Sequence, residues 1–170
     1  SSLPSPGFSD YKRALNCWHS TFEELALPLT WNSQFPQVFP LQAKSKVLWI
    51  TNPHNPTGQL WNRDSLEALL GNNQLVICDE SFLPLVPNGE AESLIPLITN
   101  HKNLIVLRSL TKLFSIPGLR LGYAVSNPTR LKIWQTIRDP WPLNGIAIYL
   151  GSMLMSNQEL IQQQMKKVGA

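Results

Sequence analysis

Three short runs in this chain combine residue types that could do chemistry, and each follows a stretch of apolar sequence. They are Thr51-Asn52-Pro53-His54-Asn55-Pro56-Thr57-Gly58, Asp79-Glu80-Ser81-Phe82 and Ser109-Leu110-Thr111-Lys112. Lys112 lies among Leu110, Leu113, Phe114 and Ile116. Desolvation in such a setting disfavours the ammonium form and so favours a nucleophilic amine. Lys102 and Lys132 stand in polar or helical sequence instead. Asp79 closes an apolar run, where an isolated carboxylate is costly unless a cation meets it. Arg120, among Gly118, Leu119, Leu121 and Gly122, needs an anion, either a phosphate held bidentately or a carboxylate. Each run alone is a weak signal. The first could be a rigid double turn, a post-strand Asp can be a helix cap, and Ser-x-x-Lys arises by chance. An acyl-enzyme built on Ser109 and Lys112 would also need companion Ser-Asp-Asn and Lys-Thr-Gly motifs, which the sequence lacks.

Strands and helices must place these runs. Val47–Thr51, Gln74–Cys78 and Leu104–Leu107 are near-continuously apolar, as strands covered on both faces are. Leu119–Val125 reads as a fourth strand, interrupted by Gly122. Ser9 or Asp10 is expected to cap a short helix reaching about Trp18. Asn62–Gly71 has a polar start, apolar spacing and a glycine stop, which predicts a helix. Pro128–Arg138, capped by Asn127, and Asn144–Lys167, with a bend near Gly151, are the other expected helices. Residues 27–46, with Pro28, Pro36 and Pro40, read as loop and edge strand. Alternation of this kind predicts a three-layer α-β-α fold of the α/β class around a mostly parallel sheet. In such sheets ligands sit beyond the carboxyl ends of strands, where all three runs are placed.

Length and composition narrow the possibilities. The 170 residues are about one domain's worth of chain. Fourteen basic and eleven acidic residues give a net charge of +3, too mild for a nucleic-acid or anionic-membrane partner. A hydrophobic content of 43% with six Trp excludes disorder. Two distant cysteines, Cys17 and Cys78, offer neither a disulfide framework nor a metal site, and a reducing cytoplasm fits best. No apolar run approaches the roughly 18 residues of a membrane span, and the Ser1–Gly7 opening has no secretory pattern. The charged fraction of 15% is low against about 25% for a soluble domain, which suggests surfaces covered by further protein.

The three runs together, followed by Gly118-x-Arg120-x-Gly122-Tyr123, resemble the core of fold-type I enzymes that use pyridoxal 5′-phosphate (PLP). Within that group the sequence is similar to class I/II aminotransferases, closest to the branch of histidinol-phosphate aminotransferases and threonine-phosphate decarboxylases. The resemblance implies that Lys112 forms the Schiff base and shuttles the proton at Cα. It implies that Asp79 meets the pyridinium N–H and that Asn55 hydrogen-bonds the phenolic oxygen O3′. Ser109 and Arg120, with Thr111 as a further hydroxyl, would bind the cofactor phosphate. Phe8, in Pro6-Gly7-Phe8-Ser9-Asp10-Tyr11, resembles the position whose ring stacks on the pyridine, although a core aromatic explains it nearly as well. Glu80 is read as structural or supporting, and His54 as structural.

The resemblance also bears on the reaction. Phe82 stands where aminotransferases of the group usually carry a tyrosine, and Asp79-Glu80-Ser81-Phe82 is similar to the threonine-phosphate decarboxylase branch, as is Pro140-Trp141-Pro142-Leu143-Asn144. Asn144 would approach the substrate or cap a helix. Decarboxylation of L-threonine O-3-phosphate, in cobalamin biosynthesis, is therefore expected ahead of transamination. A truncated, non-catalytic paralogue acting as a binding module is the remaining alternative. The family further implies a small amino acid or amino phosphate substrate and a homodimer. It normally has an earlier Gly-rich phosphate loop and a later small domain with a carboxylate-gripping arginine. Residues 1–170 carry neither, so they are expected to be part of the large, PLP-binding domain.

Overall fold

The computed structural model describes residues 1–28 and 35–168. Six strands form one sheet: β1 (Ser2–Ser5), β2 (Glu23–Ala26), β3 (Leu48–Thr51), β4 (Val76–Asp79), β5 (Leu104–Ser109) and β6 (Gly122–Ser126). Their spatial order is β2-β1-β3-β4-β5-β6. All neighbours run parallel except β5 and β6, which are antiparallel. The helices are α1 (Ser9–Cys17), α2 (Arg63–Leu70), the single turn α3 (Leu110–Leu113), α4 (Pro128–Ile137), α5 (Gly145–Ser156) and α6 (Gln158–Val168).

Strand alternation sorts the side chains onto two faces. Leu48, Ile50, Val76, Cys78, Leu104 and Val106 form the main core with Leu66, Leu69 and Leu70 of α2. Helix α2 begins as its sequence predicts, with the Asn62 side chain accepting from the Ser65 N–H at 2.9 Å. Trp49, Thr51 and Asp79 alternate with core residues and so take the opposite face. There Tyr11 of α1 packs on Trp49, with ring centroids 5.0 Å apart. Helices thus cover both faces of a mostly parallel sheet, the expected α/β architecture. A smaller cluster joins Leu110, Leu121 and Ala147. At Gly151 of α5 a Cβ would come within 2.9 Å of Leu121 Cδ2, so the glycine lets the helix lie close.

Several elements depart from the sequence reading. The proline-bearing opening is a strand, β1, and Glu23–Ala26 is a second one at the sheet edge. Helix α1 follows Phe8 with no side-chain cap. The strand expected from Leu119 starts only at Gly122, because Pro117–Leu119 forms a 3₁₀ turn and Arg120 is left-handed at φ 50°, ψ 47°. The long C-terminal helix is two helices, divided at Asn157 and not at Gly151. Part of the loop and edge strand expected over 27–46 falls on 29–34, outside the described residues. Within the rest, Gln37 forms an isolated bridge with Trp61 and Phe39 is buried. Helix α4 buries no residue, and Ile146, Ile148 and Tyr149 of α5 are exposed. Among the described residues, no helix is long and apolar enough to cross a membrane.

Candidate active site

The site is assembled from the β3, β4 and β5 ends. After β3 the chain makes a compact loop whose two Asn–Pro bonds, 52–53 and 55–56, are cis. Asn52 is fully buried; its amide donates to the Trp61 carbonyl at 3.1 Å and its carbonyl accepts the Trp61 N–H at 2.9 Å. His54 is buried too, and its Nε2–H donates to the Pro6 carbonyl at 2.9 Å. Burial pushes the His54 pKa below its ordinary value, so the ring is neutral near pH 7. This contact ties the loop to the segment bearing Phe8 and Tyr11. Asn55 then faces an open cleft of about 320 Å³ that it shares with Phe82 and Val86.

At the end of β4, Asp79 is half-buried. Its Oδ1 accepts the Ser81 backbone N–H at 2.9 Å, and its Oδ2 accepts the Tyr11 hydroxyl at 2.5 Å. Burial first, then the Asp79 charge, drive the Tyr11 phenol pKa well above its usual value. The phenol therefore stays protonated and donates. Phe8 meets Tyr11 edge-on, with centroids 5.3 Å apart and planes at 78°.

Glu80 faces the other way and is fully buried. Its carboxylate accepts Arg108 Nε at 3.0 Å and Nη2 at 2.7 Å, the Ser93 hydroxyl at 2.9 Å and the Leu94 N–H at 2.7 Å. Arg108 also donates to Glu90 at 2.6 Å. The structural reading of Glu80 agrees with this geometry. Its partner Arg108 ties β4 to β5 directly behind the site.

At the end of β5, the Ser109 and Thr111 hydroxyls lie 2.7 Å apart. Lys112, on the exposed side of α3, holds Nζ 5.2 Å from the Phe82 ring centroid. The β5–β6 pairing sets Gly122 opposite Ser109. A Cβ at Gly122 would sit 2.7 Å from the Arg108 carbonyl oxygen, so only glycine permits this approach two residues after Arg120. The exposed Arg120 donates Nη1 to the Pro117 carbonyl at 3.1 Å. Asn144 is a helix cap, its Oδ1 accepting the Ala147 N–H at 2.8 Å.

The structure therefore brings Asn55 and Phe82 to one cleft, sets the Lys112 amine over the Phe82 ring, and joins Ser109 to Thr111. Phe8 touches Asp79 only through Tyr11, and the hydrogen bond of Arg120 stays within its own turn. Tyr11 was missed in the sequence, although it stands in the same Pro6–Tyr11 run as Phe8 and its ring packs edge-on against it. Chemically, the set offers hydroxyls and a guanidinium for a phosphate and a carboxylate with spare acceptor capacity for a cationic N–H. It also offers an amine with no hydrogen-bonded partner among the described residues. Those are the functional groups that PLP needs. Among the described residues, no group of three or more His, Cys, Asp or Glu could hold a metal ion.

The sequence profile of the family described as aminotransferase class I and II matches residues 2–168. A protein provisionally named threonine-phosphate decarboxylase, from Caldanaerobacter subterraneus subsp. tengcongensis, is 31% identical over 174 residues, covering 99% of this chain and 47% of that protein. Histidinol-phosphate aminotransferase 2 of Haemophilus influenzae is 32% identical over 126 residues, covering 72% of this chain and 34% of that protein. The crystal structure of histidinol-phosphate aminotransferase from Sinorhizobium meliloti, in complex with pyridoxal-5′-phosphate, superposes with a TM-score of 0.78 at 16% identity, over 98% of this chain and 46% of that one. At that identity the likeness is one of fold. The chain spans less than half the length of these relatives.

Proposed function

The chain belongs to the class I and II aminotransferase family, and from that premise we propose that it is the catalytic core of a PLP-dependent enzyme that decarboxylates L-threonine O-3-phosphate, a step of cobalamin biosynthesis. The family is PLP-dependent. The observation that carries the reading is the gathering, at adjacent strand ends, of Asp79 with spare acceptor capacity, the Ser109–Thr111 hydroxyl pair and an amine beside Phe82.

When bound, PLP supplies an electron sink conjugated with the bond that breaks at the substrate Cα. Asp79 would keep the proton on the pyridine nitrogen, because a carboxylate there favours the cationic form. Ser109, Thr111 and Arg120 would hold the phosphate, Asn55 would donate to the ring oxygen, and Phe8 would cover a ring face. Lys112 would carry the cofactor covalently. In decarboxylation Lys112 has one task at Cα, to deliver a proton where the carboxylate has left. Transamination requires it to remove a proton there and return it elsewhere. Phe82 favours the simpler task, since it lacks the hydroxyl that aminotransferases of the group usually place at this position. The similarity to histidinol-phosphate aminotransferase supports transamination as the second reading. The proposal extends to a cytoplasmic homodimer.

The test is to add PLP, reduce with borohydride and map the adduct, expecting label on Lys112 and none in Lys112→Ala. An unlabelled protein would point to a binding module instead. A separate, unreduced sample of the PLP-loaded protein is then given L-threonine O-3-phosphate alone, and separately histidinol phosphate with 2-oxoglutarate. Carbon dioxide release from the first with no turnover of the second supports the decarboxylase. The reverse pattern establishes the transaminase.

A further inference from the structure

We propose that Tyr11 is a positioning residue for Asp79, its hydroxyl fixing the rotation of the carboxylate so that Asp79 presents one defined edge to the cationic N–H it serves. This inference rests on the PLP reading above. A carboxylate at the end of a strand turns freely about its last torsion, which has broad, roughly two-fold preferences. Two donors on different oxygens remove that freedom. The Ser81 N–H takes Oδ1 at 2.9 Å and the Tyr11 hydroxyl takes Oδ2 at 2.5 Å.

The Tyr11 hydroxyl is itself held in place. Its ring lies between Trp49, at 5.0 Å, and Phe8, at 5.3 Å, and the Thr51 hydroxyl is 3.5 Å from its oxygen. The segment leading into α1 is anchored by the contact of His54 with the Pro6 carbonyl. The phenol is thus a rigid strut between the packed aromatic layer and the carboxylate. A ring that only filled space would gain nothing from aiming its oxygen at Asp79.

The test is a double-mutant cycle on PLP affinity, measured by equilibrium dialysis with the protein, Tyr11→Phe, Asp79→Asn and the double variant. Tyr11→Phe keeps the ring stack and removes only the donor. With Asp79 present it should raise the PLP Kd about tenfold, the size of one charge-assisted hydrogen bond. In the Asp79→Asn background it should change Kd less than about twofold. Equal losses in both backgrounds, or none in either, overturn the inference. A second arm needs no cofactor. In an alkaline absorption titration of the PLP-free protein, Asp79→Asn should bring one of the three tyrosines into ionisation at lower pH. An unchanged titration also overturns the inference. A parent protein that takes up no PLP while passing this second arm would count against the enzyme reading and leave the Tyr11–Asp79 coupling standing.

Discussion

Asp79 and Glu80 are neighbours in sequence and opposites in setting. Glu80 is fully buried and takes four protein donors, about as many as a carboxylate can accept. Asp79, on the other face of the sheet, takes two, from Tyr11 and Ser81, and remains partly open. One face of the strand end is saturated and closed; on the other, the half-buried Asp79 accepts fewer protein donors than a carboxylate can take. A saturated, buried carboxylate and a half-open one are thereby separated by a single peptide unit, since alternation along a strand sends successive side chains to opposite sides.

The largest expected effect tests the closed face. Glu80→Ala takes away the buried carboxylate of Arg108 and leaves it only the part-exposed Glu90; losing a buried partner costs up to about 3–5 kcal/mol, measurable by urea denaturation. Asp79→Asn should instead lower turnover by about 10²-fold or more, as loss of an electrostatic partner at a reacting group does, while unfolding stability stays within about 1 kcal/mol. If the two substitutions cost similar stability, the contrast between the faces is wrong. Gly122→Ala probes the seam between them. Its new methyl meets the Arg108 carbonyl oxygen, built 2.7 Å away, and should cost about 1–3 kcal/mol, seen as a lowered Tm.

The smallest effect concerns pH. His54 has a folded pKa below its ordinary 6.5, because burial disfavours its cation. The unfolded chain therefore binds more protons than the fold as pH drops from about 6.5 to the folded value, and stability falls across that window. His54→Gln should flatten that part of the curve when urea midpoints at pH 7.5 and about 5 are compared. An unaltered slope would mean that the loss arises at another group.

Much of the sheet was legible because β3, β4 and β5 are covered on both faces and so read as unbroken apolar runs. The missed strands had local reasons to hide. Pro4 has no N–H, so the ladder from β1 to β3 is confined to the pair Ser2–Leu48, and a four-residue strand with a proline carries no alternation to read. Strand β2 carries Glu23 and Glu24 at the sheet edge, where charge guards an open ladder but resembles loop sequence. The break at Asn157 was hidden by helix formers on both sides, whereas Gly151 drew attention to a position that serves packing. In the candidate site, Asn55, Asp79, Ser109 and Lys112 drew attention through the polar runs that follow apolar strands. Tyr11 and Arg108 could not, because each depends on a partner about 28 or more residues distant, and no local pattern encodes that meeting.

Arg120 joins a left-handed backbone to a guanidinium already bonded to the Pro117 carbonyl. A free arginine surrenders about 2 kcal/mol of rotamer entropy when immobilised. Here the tight corner takes part of that loss during folding, so an anion held by Arg120 as proposed would meet a cation with less wandering left to give up.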